Sequence, residues 1–429
     1  MQNLRRAVFA GLVAGTLSEG AAATAGDGGF VEDSELQFLA RTYYFNRDYR
    51  DSPNNAGRNR FKPRSERNGY REEATQGLRL QFASGYTPGS LGFGLDAHAM
   101  LGLQLDSGGG RTGTGNLPVM NDGKPRDDYS RAGGAVKVRI SKTMLKWGEM
   151  QPTAPVFAAG GSRLFPQTAT GFQLQSSEFE GLDLEAGHFT EGKEPTTVKS
   201  RGELYATYAG QTAKSADFAG GRYAITDNLS ASLYGAELKD IYRQYYLNTN
   251  YTIPLASDQS LGFDFNIYRT TDEGKSKAGD ISNTTWSLAG AYTLDAHTFT
   301  LAYQQVHGDE PFDYIGFGGN GSGAGGDSIF LANSVQYSDF NGPGEKSWQA
   351  RYDLNLASYG VPGLTFMLRY INGKDIDGTK VDSSSSYAGL YGEDGKHHET
   401  NLEAKYVVQS GPAKDLSFRI RQAWPRAHA

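Results

Sequence analysis

From Leu261 to Tyr268 the chain alternates strictly: Leu261, Phe263, Phe265 and Ile267 on one parity, Gly262, Asp264, Asn266 and Tyr268 on the other. A strand repeats every two residues, so this segment has one apolar and one polar face. The pattern recurs in ten-residue units along most of the chain, which is the signature of a transmembrane antiparallel β-barrel with a wet interior. Soluble sandwiches also alternate, but seldom over so many units around a polar second face. Helical spanning is excluded, because a membrane helix needs ~20 apolar residues in a row and no stretch after the N-terminus offers them. Glycine, at 56 of 429 residues, is about twice its usual ~7% share.

Seventeen segments carry the alternation: 35–49, 72–84, 90–105, 132–140, 143–149, 180–190, 199–209, 214–225, 229–238, 241–252, 259–269, 283–294, 296–306, 346–357, 363–373, 398–409 and 413–423. Connections such as Thr226-Asp227-Asn228 and Leu294-Asp295-Ala296 suit tight hairpins. Others are long and rich in Gly, Ser, Asn and Asp, so one rim has short turns and the other long loops, as in outer-membrane barrels. Arg5 and Arg6 precede an apolar run, Ala7–Leu17, and Ala23-Thr24-Ala25 offers small residues for cleavage. Residues 1–25 are therefore expected to be a secretory signal, leaving 26–429 as the barrel domain. Removing them takes the net charge from -6 to -7, and such a chain has no electrostatic case for nucleic acid. There is no cysteine, and the seven histidines are scattered, so neither a metal nor a cofactor is implied.

Two long connections, 150–179 and 307–345, hold more apolar and aromatic side chains than a solvated loop tolerates, among them Phe157, Leu164, Phe165, Phe172, Phe312, Tyr314, Ile329, Phe330 and Tyr337. Folding inward would bury them and constrict the pore; lids or contacts with sister barrels are the alternative. The polar parity of the last strands carries Arg351, Arg369, Lys405, Arg419 and Arg421, with Arg41 and Arg47 on the first. A guanidinium at mid-membrane on the lipid face would cost ~2–4 kcal/mol, so these cations point inward. Such a file offers a carboxylate successive binding sites; alternatively, the cations offset inward acids such as Asp96, Asp264, Asp353 and Glu403. Loop 307–345 brings Asp309, Glu310, Asp313, Asp327 and Asp339 among Tyr314 and Tyr337. An acidic constriction facing a basic wall would hold a zwitterion that carries an extra cation.

The stretches TGTGNLPVMNDGKPRDDYSRAGG (112–134), MLKWGEMQP (144–152), GSRLFPQTATGFQLQSSEFEGLDLEAGHFTEGKEPTTVKSRGELYATY (161–208), YGAELKDIYRQYYLN (234–248) and GPGEKSWQARYDLNLASYGVPGLTF (342–366) closely resemble the OprD family of pseudomonad outer-membrane carboxylate channels. The likeness is nearly continuous from Thr112 to Trp424 and looser before it. The resemblance implies an 18-stranded porin of the outer membrane, monomeric or trimeric, inserted by the outer-membrane assembly machinery among lipopolysaccharide. It implies uptake of basic amino acids and small basic peptides, with adventitious entry of carbapenem antibiotics. It puts a basic ladder on Arg47, Lys405, Arg419 and Arg421, and a constriction on Arg163, Tyr208, Tyr314, Asp327, Ser328, Tyr337 and Asp339. A serine-peptidase assignment within the family falls on His188, Asp240 and Ser328. Catalysis would require the serine and the aspartate each within reach of the imidazole, and nothing in the sequence forces these three together. Family members end on a further strand, whereas this sequence stops at Trp424-Pro425-Arg426-Ala427-His428-Ala429. Because unpaired backbone groups in hydrocarbon cost several kcal/mol each, the 429-residue chain is expected to assemble poorly.

Overall fold

The computed structural model describes residues 29–50, 69–199, 201–318 and 325–428; the expected signal segment lies outside them. Seventeen antiparallel strands form one sheet: β1 (Glu35–Asp48), β2 (Tyr70–Ala83), β3 (Leu91–Asp106), β4 (Asp128–Ile140), β5 (Thr143–Met150), β8 (Thr168–Phe179), β9 (Leu182–Lys193), β12 (Ala216–Thr226), β13 (Leu229–Leu238), β14 (Tyr242–Ala256), β15 (Gln259–Asp272), β16 (Ser282–Leu294), β17 (His297–His307), β19 (Lys346–Asn355), β20 (Leu364–Ile376), β21 (Gly395–Val407) and β22 (Ser417–His428). Each pairs with the next in chain order. Five short strands lie in the connections: β6 (Thr153–Ala154), β7 (Phe157–Ala158), β10 (Glu203–Ala206), β11 (Thr212–Ala213) and β18 (Ile315–Gly318).

The two parities have the expected environments. Phe263, Leu288, Leu301 and Trp348 are exposed on the outer face, while Tyr268, Ser287, Gln304 and Gln349 on the other parity are buried. Two-residue turns link β4 to β5, β8 to β9 and β16 to β17. Each needs a left-handed residue, supplied by Ser141 (φ 53), Gly181 (φ 72) and Asp295 (φ 48), and such turns match the twist of the strands they join.

The sheet curls until its two edge strands face each other. Arg41 on β1 lies within electrostatic reach of Arg419 on β22, and Tyr43 within reach of Arg421. No ladder hydrogen bonds join β1 to β22 among the described residues. Higher up, the loop after β17 bridges this seam. Its Tyr337 and Ser338 N–H groups donate to the Glu399 carboxylate on β21 at 3.0 and 2.9 Å, and the Tyr337 ring lies 4.6 Å beneath the Arg47 guanidinium of β1.

Two strand expectations fail in a compensating way. Segment 199–209 is no wall strand: β10 pairs with β11 and β18 inside the lumen, and Leu204, Tyr205 and Ala206 are buried on both faces. Conversely 168–179, expected as loop, is wall strand β8, whose Phe172 lies exposed on the lipid face against Trp147. The segment 151–167 does turn inward, with Phe157 stacked on Phe189 and Phe218 of the inward parity and Leu164 and Phe165 buried. In 307–345, Phe312, Tyr314 and Phe340 are buried, whereas Tyr337 is 45% exposed, contrary to the expectation of burial.

Candidate functional site

The inward segments are tied together by carboxylates. Asp313 is buried and accepts hydrogen bonds from the Tyr208, Ala209 and Tyr314 N–H groups at 2.9, 3.0 and 2.7 Å and from the Tyr387 hydroxyl at 3.0 Å. One carboxylate thus clamps three connections, and at 2% exposure it is closed off from a solute, unlike the part-exposed Asp339. Burial raises its pKa against those donors, which lower it. The expectation that Asp313 forms part of an acidic solute site is corrected accordingly.

Asp339 takes a different position. Its Oδ2 accepts from the Tyr208 hydroxyl at 2.7 Å and the Tyr314 hydroxyl at 2.9 Å, and its Oδ1 accepts from Ser334 at 2.8 Å. The two tyrosine rings meet edge to face at 6.0 Å, and burial followed by the Asp339 charge holds both hydroxyls well above the ordinary phenol range. Asp327 accepts from the Gly161 N–H at 3.2 Å and keeps surface open to the lumen, although protein encloses it on most sides. Burial raises its pKa, and the Gly161 N–H and the Arg163 charge pull it back down. Arg163 donates through Nε to the Thr114 carbonyl at 2.9 Å, lies 5.3 Å over Phe45, and accepts on its own carbonyl from Arg41 at 2.8 Å. Tyr208, Tyr314, Asp327, Asp339 and Arg163 therefore form one neighbourhood.

The basic wall stands on β19 to β22. Arg351 sits opposite Arg369, Arg369 opposite Asn401, Lys405 opposite Arg419 and Glu403 opposite Arg421. Several cations have acidic partners: Arg351 binds Asp353 through two 2.7 Å hydrogen bonds, and Glu403 holds Arg419 at 2.7 Å and Arg421 at 3.0 Å. Across the seam, on β3 to β5, Asp96 joins Lys137 and Lys146 at 2.7 and 2.5 Å. Arg369, whose Nε donates to Asn401 at 2.9 Å, and Lys405 have no carboxylate within ion-pair distance among the described residues. Both readings of the ladder are thus present: Arg351, Arg419 and Arg421 are paired with acids, whereas Arg369, Lys405 and, across the seam, Arg47 have no carboxylate within ion-pair distance among the described residues.

The peptidase set is not brought together. Ser328 is buried in the inner loop, accepting from the Ala158 N–H at 2.7 Å. His188 lies on the outward parity, where its Nδ1 is 2.6 Å from Asp217. Asp240 is in the connection between β13 and β14, beside Lys275 at 4.0 Å. Each has its own partners.

Sequence reasoning missed the anchors on the wall. Glu399 holds the tip of loop 308–345. Gln304 donates to the Asp339 and Phe340 carbonyls at 3.2 and 2.8 Å, and Glu149 receives Lys193 at 2.5 Å and Thr168 at 2.6 Å. Their only sequence signal is a large acceptor or amide on the inward parity near the loop rim. Among the described residues no group of three or more His, Asp or Glu side chains is arranged to hold a metal.

A family model for the OprD family of outer membrane porins matches residues 28–429. Porin D of Pseudomonas aeruginosa is 82% identical over 403 residues, covering 94% of this chain and 88% of that one. The crystal structure of Pseudomonas aeruginosa OprD superposes with a TM-score of 0.79 at 72% identity, over 95% of this chain and 94% of that one. A BenF-like porin from Pseudomonas fluorescens gives 0.82 at 34% identity, over 93% and 95%. With an alternating sheet curled around an inward charged constriction, the chain belongs to the OprD family of porins, solute channels of the bacterial outer membrane.

Proposed function

We propose that this porin passes basic amino acids and small basic peptides, with carbapenems entering by the same path. The observation that carries the reading is the opposition of charge. Asp327 and Asp339 stand in the narrow region among tyrosines, and the last strands bear Arg369 and Lys405 without carboxylate partners. A solute with a carboxylate and a side-chain cation can engage both sides at once, which an acidic or neutral amino acid cannot. Arg351, Arg419 and Arg421 extend the wall as steps of lower net charge, and Arg47, stacked on Tyr337, lines the approach. The barrel's lipid partner is the bilayer with its lipopolysaccharide, reached through the outer-membrane assembly machinery. The peptidase reading is not adopted, since His188 faces outward and Ser328 is bonded to backbone. Planar-bilayer recording tests the proposal: L-arginine and L-lysine block the ion current, L-glutamate does not, and Asp327→Asn with Asp339→Asn together abolish the block. Equal block by glutamate would refute it.

A further inference from the structure

The outer rim of the barrel is electrically lopsided. Where the strands meet the long external connections, the outward positions of β19, β20, β21 and β22 carry Lys346, Lys374, Lys396 and Arg426. Register sets Lys346 opposite Lys374, and Arg426 opposite His398, one outward step below Lys396. Beneath the row runs an aromatic belt of the kind that marks the membrane interface. The Trp348 and Tyr370 rings are 5.5 Å apart, Tyr370 and His398 are 5.9 Å apart, and Trp424 continues the belt on β22. Lower still, Leu368, Leu402 and Ile420 face the hydrocarbon. Two other arcs of the rim have the opposite character. Asp48, Glu72 and Asp106 occupy it on β1 to β3, and His188, Asp217 and Glu237 on β9 to β13, with the neighbouring Arg243 held by Glu237 at 3.0 Å.

We infer that this row binds the phosphates of one lipid A, the acylated and bisphosphorylated disaccharide that anchors lipopolysaccharide; the inference rests on the lipopolysaccharide partner proposed above. Parity turns the row away from the pore, since its sequence neighbours Ser347 and Gly373 are buried on the lumen side and His397 bonds Glu345 there at 2.6 Å. A solute in the channel therefore does not meet these cations. Lys346 is met by Asp375 at 3.1 Å. Lys374, Lys396 and Arg426 are exposed and have no carboxylate within ion-pair distance among the described residues. The acids Glu393 and Asp394 precede β21, beyond the end of the strand. Long basic side chains at this level lay their stems along the aromatic belt and lift their charges to the headgroups. Depth thus selects a lipid, and charge selects which one. A phosphate monoester carries about -1.5 to -2 charges, so two of them match the row, whereas the single phosphodiester of a glycerophospholipid leaves most of it unneutralised. Three strand spacings of ~4.8 Å make the row roughly 14 Å long, the extent of a disaccharide with a phosphate at each end. The acyl chains then lie on Leu368, Leu402 and Ile420.

The test is native mass spectrometry of the folded 429-residue chain in detergent micelles doped with bisphosphorylated lipid A or with the same lipid A stripped of both phosphates. One phosphorylated lipid A is retained in preference to the stripped form. Lys374→Gln and Lys396→Gln each lower its retention about fivefold, and together roughly thirtyfold. Lys239→Gln, on another arc of the rim, leaves it unchanged, and heat-modifiable migration shows each variant folded. Equal retention of the two forms, retention unaffected by the row variants, or an equal loss in Lys239→Gln overturns the site while leaving lipopolysaccharide as the barrel's surroundings. Retention of neither form overturns both readings. Displacement by inorganic phosphate at equal phosphate concentration assigns the row to free phosphate and overturns the lipid as its ligand.

Discussion

Glu399 is the most economical place to perturb the constriction, because it touches the loop without lining the pore. Its carboxylate is fully buried on β21 and accepts from two consecutive loop N–H groups, Tyr337 at 3.0 Å and Ser338 at 2.9 Å, and from Asn401 at 2.7 Å. Glu399→Gln keeps the shape but replaces one acceptor oxygen with an NH₂ group. One loop N–H then faces a donor and is left unpaired, at ~1–3 kcal/mol, and the other loses charge assistance worth about 1 kcal/mol. The docked tip loses ~2–4 kcal/mol, which lowers its docking equilibrium by roughly 30- to 700-fold. Asp339 lies next to this tip and follows it. Single-channel conductance in planar bilayers therefore rises and becomes noisy, and amide exchange at Tyr337 and Ser338 accelerates while that of β21 does not. An unchanged conductance with unchanged exchange would refute the claim that Glu399 holds the constriction closed.

Three further outcomes follow from the same contacts. Arg369→Gln, which removes a charge that has no carboxylate within ion-pair distance among the described residues, shifts the reversal potential of a salt gradient toward cation selectivity, and Arg351→Gln does so as well by unmasking Asp353. Ser328→Ala removes the acceptor of the Ala158 N–H and destabilises the inner loop by about 1 kcal/mol, seen as faster exchange at Ala158; peptide cleavage stays at the level of a blank. Burial raises the pKa of Asp327, so its proton is bound more tightly in the folded pore. Loop stability from this group is greatest below the ordinary carboxylate range and declines as pH rises through the raised value. Conversely, cation selectivity falls on acidification sooner than an ordinary aspartate would allow, and reversal potentials across a pH series check this.

Most of the wall was legible because lipid imposes a two-residue period that few other environments sustain. The period also misled where burial replaced lipid. Leu204-Tyr205-Ala206 sits in the lumen, packed on both faces, and reads locally like a strand of the wall. In 168–179 the apolar Leu164-Phe165 just upstream lent β8 the look of a loop. Asp339 and Asp313 are equivalent in sequence, acids set among tyrosines, yet one meets two tyrosine hydroxyls of the pore and the other three backbone N–H groups and the buried Tyr387 hydroxyl. That difference depends on where the 194–215 and 377–394 connections fold, and no local pattern encodes it. His188 shows the complementary limit. Parity places it outward once the register of Phe189 is known, but an isolated histidine in a strand gives no sign of which face it takes.

The central claim is that an acidic constriction and a basic wall together select solutes that carry both a carboxylate and a side-chain cation. Block of the single-channel current by L-arginine, L-lysine, agmatine and L-glutamate at equal concentration tests it most directly. Arginine and lysine should block most, agmatine less for lack of a carboxylate, and glutamate least, with the order lost in the Asp327→Asn, Asp339→Asn double variant. Block by agmatine equal to that by arginine, or an order that survives both substitutions, would contradict it.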